Sequence, residues 1–375
     1  MLGFNKPFLT GKELDYIRDA VEREKLSGNG HYTQQCQRFF ETRYGFRKAL
    51  LTQSCTDALE MSALLLNAGP GDEIILPSFT FVSTANAFAL RGARLVFADV
   101  GPTCPNVDVD HIRSLITPRT KAVVVVHYAG IACDMDPIME LSRQHGFHVI
   151  EDAAQAIDSF YKGRPLGSIG HLACFSFHET KNIISGEGGM LVINDPAFIQ
   201  RAEILWEKGT NRSAFSRGEV DKYSWIDVGS SFLPSEMTAA FLWAQLEQME
   251  TIQSRRLEVW EHYRQGLQFQ VREEHLGIPN IPAYATNNAH MFYTVYRSLK
   301  ERDAMMVHLR QDGIQAIFHY IPLHSSPYFK PQYQGRVLQH TERYADCLLR
   351  LPFYTNLSKP DIDRVINSIY RFYNS

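Results

Sequence analysis

Apolar runs of four or five residues recur through the first half of the chain, each followed by a longer stretch that carries a single apolar stripe. KALLT (Lys48 to Thr52), EIILP (Glu73 to Pro77), ARLVFADV, KAVVVVHYAG and FHVIEDAAQ read as strands. TDALEMSALLLN, FVSTANAFALRG and the segments near 110–116 and 135–145 read as helices between them. Two helices precede the alternation, Gly11 to Lys25 and Gln34 to Tyr44, separated by the loop SGNG. AVVVV lacks any polar alternation, as a parallel strand covered on both faces should. The pattern predicts an α/β fold with a mostly parallel sheet, right-handed crossovers, and ligand groups at the carboxyl ends of the strands.

LACFSF and GMLVIND continue the strands, and PAFIQRAEILWEKG continues the helices. The polar segment Thr210 to Ser231 is too long for a simple connector, which makes it a candidate functional loop. A helical pattern from Pro234 to about Leu267 then leads into a smaller α+β domain. There the pattern predicts a strand over His290 to Tyr296, a helix over Arg302 to Gln311, a short strand AIFHYI, and helices over Thr341 to Arg350 and Lys359 to Tyr370. The division falls at a large domain, 1–245, and a small C-terminal domain, 246–375.

Composition narrows the partners. Charged residues are 21% of the 375, the hydrophobic set is 45%, and the net charge is -3, the balance of an ordinary globular protein. No run of Lys and Arg offers a patch for nucleic acid or an anionic membrane, so small molecules are the expected ligands. The N-terminus lacks a secretory layout, and no apolar stretch approaches the ~20 residues needed to span a bilayer. The six cysteines form no C-x-x-C pair, so neither a zinc site nor a disulfide framework is expected, and a cytoplasmic location fits best.

The chemistry-bearing residues gather at strand ends. Asp152 closes the apolar strand FHVI, and Lys181 lies in FSFHETKN between the apolar runs CFSF and MLVI. An acid and an amine sharing a cleft suit the two ends of a pyridoxal phosphate ring, the acid at the pyridine nitrogen and the amine at the aldehyde carbon. Taken singly, Asp152 reads as well as a turn carboxylate, and Lys181 as a solvated lysine. The apolar flanks favour a desolvated amine, whose pKa falls. QSCTDAL opens a helix with small polar residues, where free N–H groups and the helix dipole favour a phosphate, although a plain N-cap looks the same. Ser176 could add a hydroxyl to that phosphate. Phe81, in PSFTFVSTANA, could stack on an aromatic ring or be simple core. Gln155, one helical turn beyond Asp152, could hydrogen-bond the ring's phenolic oxygen or frame the ring. His178 could shape the pocket or be structural.

Dinucleotide chemistry is the rival. GEGGM precedes a strand, not a helix, and no G-x-G-x-x-G occupies the first strand-helix turn, so the fingerprint of an NAD-dependent oxidoreductase is absent.

The ordered set QSCTDAL, PSFTFVSTANA, VHYAG, EDAAQ, KGRPLGSIG, FSFHETKN, GEGG and HYIPLH resembles the DegT/DnrJ/EryC1/StrS sugar aminotransferases over almost the whole chain. That resemblance implies fold type I of the pyridoxal-phosphate enzymes, with Lys181 bonded to the cofactor and Asp152 at its pyridine nitrogen. It further implies Gln155 at the ring hydroxyl, Phe81 on the ring face, and Cys55, Thr56 and Ser176 at the phosphate. Where the usual family carries an Asn and an Arg after WxDVG, this chain has Ser231 and Leu233; the serine can still donate to phosphate, and the guanidinium is lost. Substrate contacts are implied at His178, Lys208, His319 and Tyr320. A branch of the family with His in place of the lysine dehydrates sugars, and the retained Lys181 favours amino transfer. The resemblance also implies L-glutamate and a nucleotide-linked keto sugar as substrates, and a homodimer with shared active sites. A silent member acting as a sensor would be expected to lack Lys181, Asp152 or Phe81.

Overall fold

The apolar runs come together as one sheet in a computed structural model that describes residues 1–374. Its strands are β1 (Lys48–Thr52), β2 (Glu73–Pro77), β3 (Arg94–Ala98), β4 (Thr120–Val126) and β5 (His148–Asp152), joined after the small hairpin β6 (Phe160–Tyr161) and β7 (Arg164–Pro165) by β8 (Leu172–Ser176) and β9 (Gly189–Ile193). The order across the sheet is β1-β9-β8-β5-β4-β2-β3. From β3 to β8 every pairing is parallel; β9 runs antiparallel to β8 and to β1.

Burial on both faces explains the unbroken apolar runs. In β4, Val123 and Val125 enter the core on one side of the sheet while Ala122 and Val124 enter the core on the other, all fully buried. Strand residues alternate faces, and here both faces are covered, so each valine contributes about 2 kcal/mol of burial whichever way it points. Val149 and Ile150 repeat the alternation in β5 and leave Asp152, two residues later, at the carboxyl end of the sheet.

A smaller antiparallel sheet follows, ordered β10-β12-β11, with β10 (Tyr293–Val295), β11 (Ile317–Phe318) and β12 (Leu348–Arg350). Its own core holds Trp260, Tyr263, Phe292, Leu309, Leu349 and Val365, and Leu2 from the start of the chain joins it, with its N–H on the Gly313 carbonyl at 2.7 Å.

Several expectations need correction. The helical pattern from Pro234 to Leu267 is two helices, Glu236–Leu246 and Met249–Gly266. The first buries Ala239, Ala240 and Leu242 in the large core; the second starts in that core with Met249 and Ile252 and ends in the small one with Val259, Trp260 and Tyr263, so it carries the chain from one core to the other. The helix expected over Thr341 to Arg350 ends at Cys347, and Leu348–Arg350 is the middle strand of the small sheet. A three-residue strand is too short to show a period of its own. The first helix is also shorter than expected, Glu13–Glu22. Finally, no helix follows Asp152: the chain turns through Ala153–Asp158 into the β6–β7 hairpin, so Gln155 sits in a turn.

Candidate active site

Asp152 is 5% exposed, and its carboxylate is held from two directions. Thr84 Oγ1 donates to Oδ2 at 2.7 Å, and the Ala154 N–H donates to Oδ1 at 3.2 Å. Burial raises its pKa, while these donors and the charge on Lys181 act the other way. The adjacent Glu151 points to the opposite face. It accepts from the N–H groups of Gly167 (2.8 Å), Ile169 (2.8 Å) and Gly170 (2.6 Å), and it pairs with His127 Nε2 at 2.9 Å. One strand end therefore carries a structural acid and a cleft acid side by side.

Lys181 lies in the loop between β8 and β9, its N–H bonded to the His178 carbonyl at 2.8 Å. Burial lowers its pKa; Cys55 and Asp152 oppose that shift and Arg350 adds to it, so these groups share one field. A lysine in this state holds its amine closer to the free base than a surface lysine does.

The phosphate candidates stand at the start of the helix Cys55–Leu65. Ser54 caps it, its side chain accepting from the Asp57 N–H at 3.1 Å, and the N–H groups of Cys55 and Thr56 precede the first intrahelical bond. Thr56 Oγ1 donates to Ser83 Oγ at 2.8 Å, which ties this helix to the next one, Val82–Ala89. Gly189 makes the approach possible: a Cβ there would lie 2.3 Å from the Ser54 carbonyl carbon. Phe81, at the N-cap of Val82–Ala89, is 59% exposed, so its ring is not core. Ser176 is half-buried at the end of β8, where its hydroxyl accepts from the His178 N–H at 3.4 Å.

The far wall comes from the turn after β5 and from the small domain. Gln155 accepts from the Ala129 N–H at 2.6 Å and donates to Tyr320 Oη at 3.2 Å. Asn288 pins the turn by donating to the carbonyls of Gln155 and Ile157, both at 2.8 Å. Gly130 must be glycine for this, since a Cβ would fall 1.9 Å from Asn288 Oδ1. His319 stacks on Tyr320 with ring centroids 3.9 Å apart, and its Nε2 accepts from Arg350.

The remaining candidates lie apart from this group. Lys208 and Ser231 line a pocket of about 320 Å³ with Gln53, Glu207 and Arg212, next to the phosphate turn through Gln53. Both are exposed, and Lys208 takes a left-handed backbone at φ 64. His178 turns to Thr180 Oγ1 at 2.9 Å and lies 3.7 Å from Glu187.

Thr84, Ser83 and Arg350 were not among the residues singled out in the sequence. Thr84 and Ser83 sit inside the STANA motif, and Arg350 is the one charge in the apolar run LLRLP, which is the signal that could have marked it.

The residues fit pyridoxal phosphate. A buried acid held by the Thr84 hydroxyl suits a protonated ring nitrogen, a desolvated amine suits an aldehyde, a helix N-terminus suits the phosphate, and an unpacked aromatic suits a ring face.

The profile of the DegT/DnrJ/EryC1/StrS aminotransferase family matches residues 7–370. The spore coat polysaccharide biosynthesis protein SpsC of Bacillus subtilis (strain 168) is 32% identical over 382 residues, covering 98% of this chain and 96% of that protein. The crystal structure of the aminotransferase TlmJ from Streptoalloteichus hindustanus superposes with a TM-score of 0.91 at 33% identity, covering all of both chains (100% each). An aminotransferase from Psychrobacter cryohalolentis superposes at 0.92 with 25% identity, covering 98% of each.

Proposed function

The chain belongs to the DegT/DnrJ/EryC1/StrS aminotransferase family, and from that premise we propose that it moves the amino group of L-glutamate to C4 of a nucleotide-linked 4-keto-6-deoxyhexose. It is a pyridoxal-phosphate-dependent sugar aminotransferase. The finer reading is conversion of dTDP-4-keto-6-deoxy-D-glucose to dTDP-4-amino-4,6-dideoxy-D-galactose. The runs SFTFVSTANAF, FSFHETKN, EKGTNRS and VDKY support it, being most like the transaminase that makes this sugar for enterobacterial common antigen. The gluco epimer and a 3-amino product are the competing outcomes.

The observation that carries the reading is the convergence at the carboxyl end of one sheet of Asp152, buried at the end of β5 and held by Thr84, and Lys181 in the loop after β8. Bound pyridoxal phosphate supplies an electron sink for the bond broken at the amino acid. Asp152 would hold a proton at the ring nitrogen, while Thr84 fixes which carboxylate oxygen faces it. Lys181, whose burial favours the neutral amine, would take the proton from the glutamate Cα and in the second half-reaction give one to C4 of the sugar. Over the two half-reactions glutamate loses its amino nitrogen and its Cα hydrogen and takes a carbonyl oxygen from water to become 2-oxoglutarate, while the sugar loses its keto oxygen as water and gains the nitrogen and a hydrogen at C4. The N–H groups of Cys55 and Thr56 would anchor the phosphate, and Phe81 and Gln155 would hold the ring between them.

Lys181→Ala should lower amino transfer from glutamate to the keto sugar by at least about a thousandfold, since both proton transfers lose their base. Turnover at near the wild-type rate would sink the assignment. Product stereochemistry, determined on dTDP-4-keto-6-deoxyglucose and its 3-keto isomer, decides between the three sugars. We further assign the working form to a homodimer in the cytoplasm, each site completed by the partner through the 210–231 loop.

A further inference from the structure

Two guanidinium groups are buried near the cleft, and they are not equivalent. Arg256 spends its N–H groups on the carbonyls of Ala289 at 3.0 Å and His290 at 2.6 Å. Arg350, at the end of β12, is 9% exposed between the fully buried Leu349 and Leu351. Its Nη1 donates to His319 Nε2, its guanidinium lies 4.6 Å from the centre of the Phe4 ring, and its Nε has no hydrogen-bond partner among the described residues. The groups acting on its charge are the phenols Tyr128 and Tyr320, not a carboxylate.

A buried cation with no anion beside it is costly, and folding alone gives no reason to keep one. The arginine's neighbours place it on the cleft. His319 stacks on Tyr320, which bonds Gln155, and Lys181 feels the charge of Arg350. With Nε2 accepting from Arg350, His319 carries its proton on Nδ1, 3.3 Å from Tyr128 Oη, so the arginine adds its charge to a neutral imidazole. The free Nε edge of a guanidinium is matched by the two oxygens of a carboxylate. The cofactor's phosphate is claimed by the helix start at Cys55, which leaves two further anions, the donor's carboxylates and the diphosphate of the nucleotide sugar; the donor is the one that must react at the Lys181 amine, on which Arg350 acts.

We infer that Arg350 is a substrate-binding residue that receives a carboxylate of the amino-acid donor, an inference that rests on the aminotransferase reading above. The carboxylate completes the unpaired fork, and His319 holds the guanidinium in plane.

Calorimetric titration of the holoenzyme with glutarate, a dicarboxylate that has no amine to transfer, tests this without turnover. Glutarate should bind at least about tenfold more tightly than its neutral isostere glutaramide, a comparison that needs no variant. Arg350→Gln should remove that preference, and Arg350→Lys, which keeps charge and loses the fork, should retain part of it. In kinetics, Arg350→Gln should raise the KM for glutamate at least about tenfold and leave the KM for the keto sugar within twofold. L-Glutamine as donor separates the two carboxylates: an equal loss with both donors puts the α-carboxylate on Arg350, and a loss with glutamate alone puts the γ-carboxylate there. Equal binding of glutarate and glutaramide by the wild type, or a loss confined to the keto-sugar KM, overturns the inference. If glutarate binds through Arg350 while no donor aminates any keto sugar, the carboxylate site stands and the sugar aminotransferase reading falls.

Discussion

At the scale of single residues, the cleft depends on side chains that hold the two reactive groups in an unfavourable setting. The Thr84 hydroxyl is the one side-chain donor to Asp152 among the described residues, at 2.7 Å. Thr84→Val keeps the shape and removes that bond, which should weaken pyridoxal phosphate binding about tenfold, with Thr84→Ser restoring most of it. Dissociation constants from absorbance titration of the stripped protein check this, and an unchanged value in the valine variant would show the hydroxyl idle. Lys181 makes a pH-dependent statement. Its pKa in the folded protein lies below the ordinary lysine value, so between the two the unfolded chain binds more protons and stability rises with pH. Below that window the cofactor-free protein carries the full penalty of a buried ammonium. Lys181→Met removes it, so the variant should melt higher than wild type at pH 7, with the difference shrinking as pH rises toward about 10.4. Melting curves of both stripped proteins across that range decide it, and a constant difference would mean the amine is not desolvated.

At the scale of elements, the end of β5 shows how one strand divides two tasks. Glu151 organises the turn Gly167–Gly170 that brings the chain back into β8, and Asp152 faces the cleft. Burial works against the Glu151 carboxylate, yet His127 and the backbone donors hold its pKa below the usual range. A depressed carboxylate contributes stability above its unfolded pKa of about 4.3, and that contribution is lost as pH falls through the folded value. Glu151→Gln should therefore cost about 3 kcal/mol at pH 7, with the gap to wild type narrowing below pH 4, read from urea unfolding at both pH values. The elements around this site were legible because strands covered on both faces announce themselves as apolar runs: β1 and β2 have the bounds read from the sequence. The break after Leu246 and the strand β12 were not legible. The helix after that break passes from one core to the other along its length, and β12 is defined by pairing with β10 and β11, neither of which local periodicity carries. Asp152 and Lys181 stood out because strand ends and apolar flanks mark a cleft, whereas Arg350 and Thr84 acquire meaning only from residues far along the chain, His319 and Asp152.

At the scale of the whole molecule, the loop from Thr210 to Ser231 leaves apolar side chains in solvent that a single chain has no use for. Trp225 is 80% exposed, and Phe215 (46%), Tyr223 (52%), Ile226 (54%) and Val228 (51%) lie open along the same loop. The loop is nevertheless folded: it carries the helix Arg212–Ser216, pairs Thr210 with Trp225 and Glu207 with Ser231, and anchors the indole N–H on the Asp227 carbonyl at 2.6 Å. Ordered apolar groups displayed together are the mark of a surface that another chain covers, and a central tryptophan is the residue type on which such contacts depend. Because the loop returns to Ser231 and Lys208 beside the phosphate turn, a partner seated there would touch the site as well as the surface. On the homodimer proposed above, Trp225→Glu should shift sedimentation from twice the 42.8 kDa chain toward the single chain, weakening association by at least about thirtyfold. Activity should fall with the dimer fraction and recover as protein concentration is raised. A variant that stays dimeric with full activity would place the partner contact elsewhere, and a monomeric variant with undiminished activity would show that each chain completes its own site.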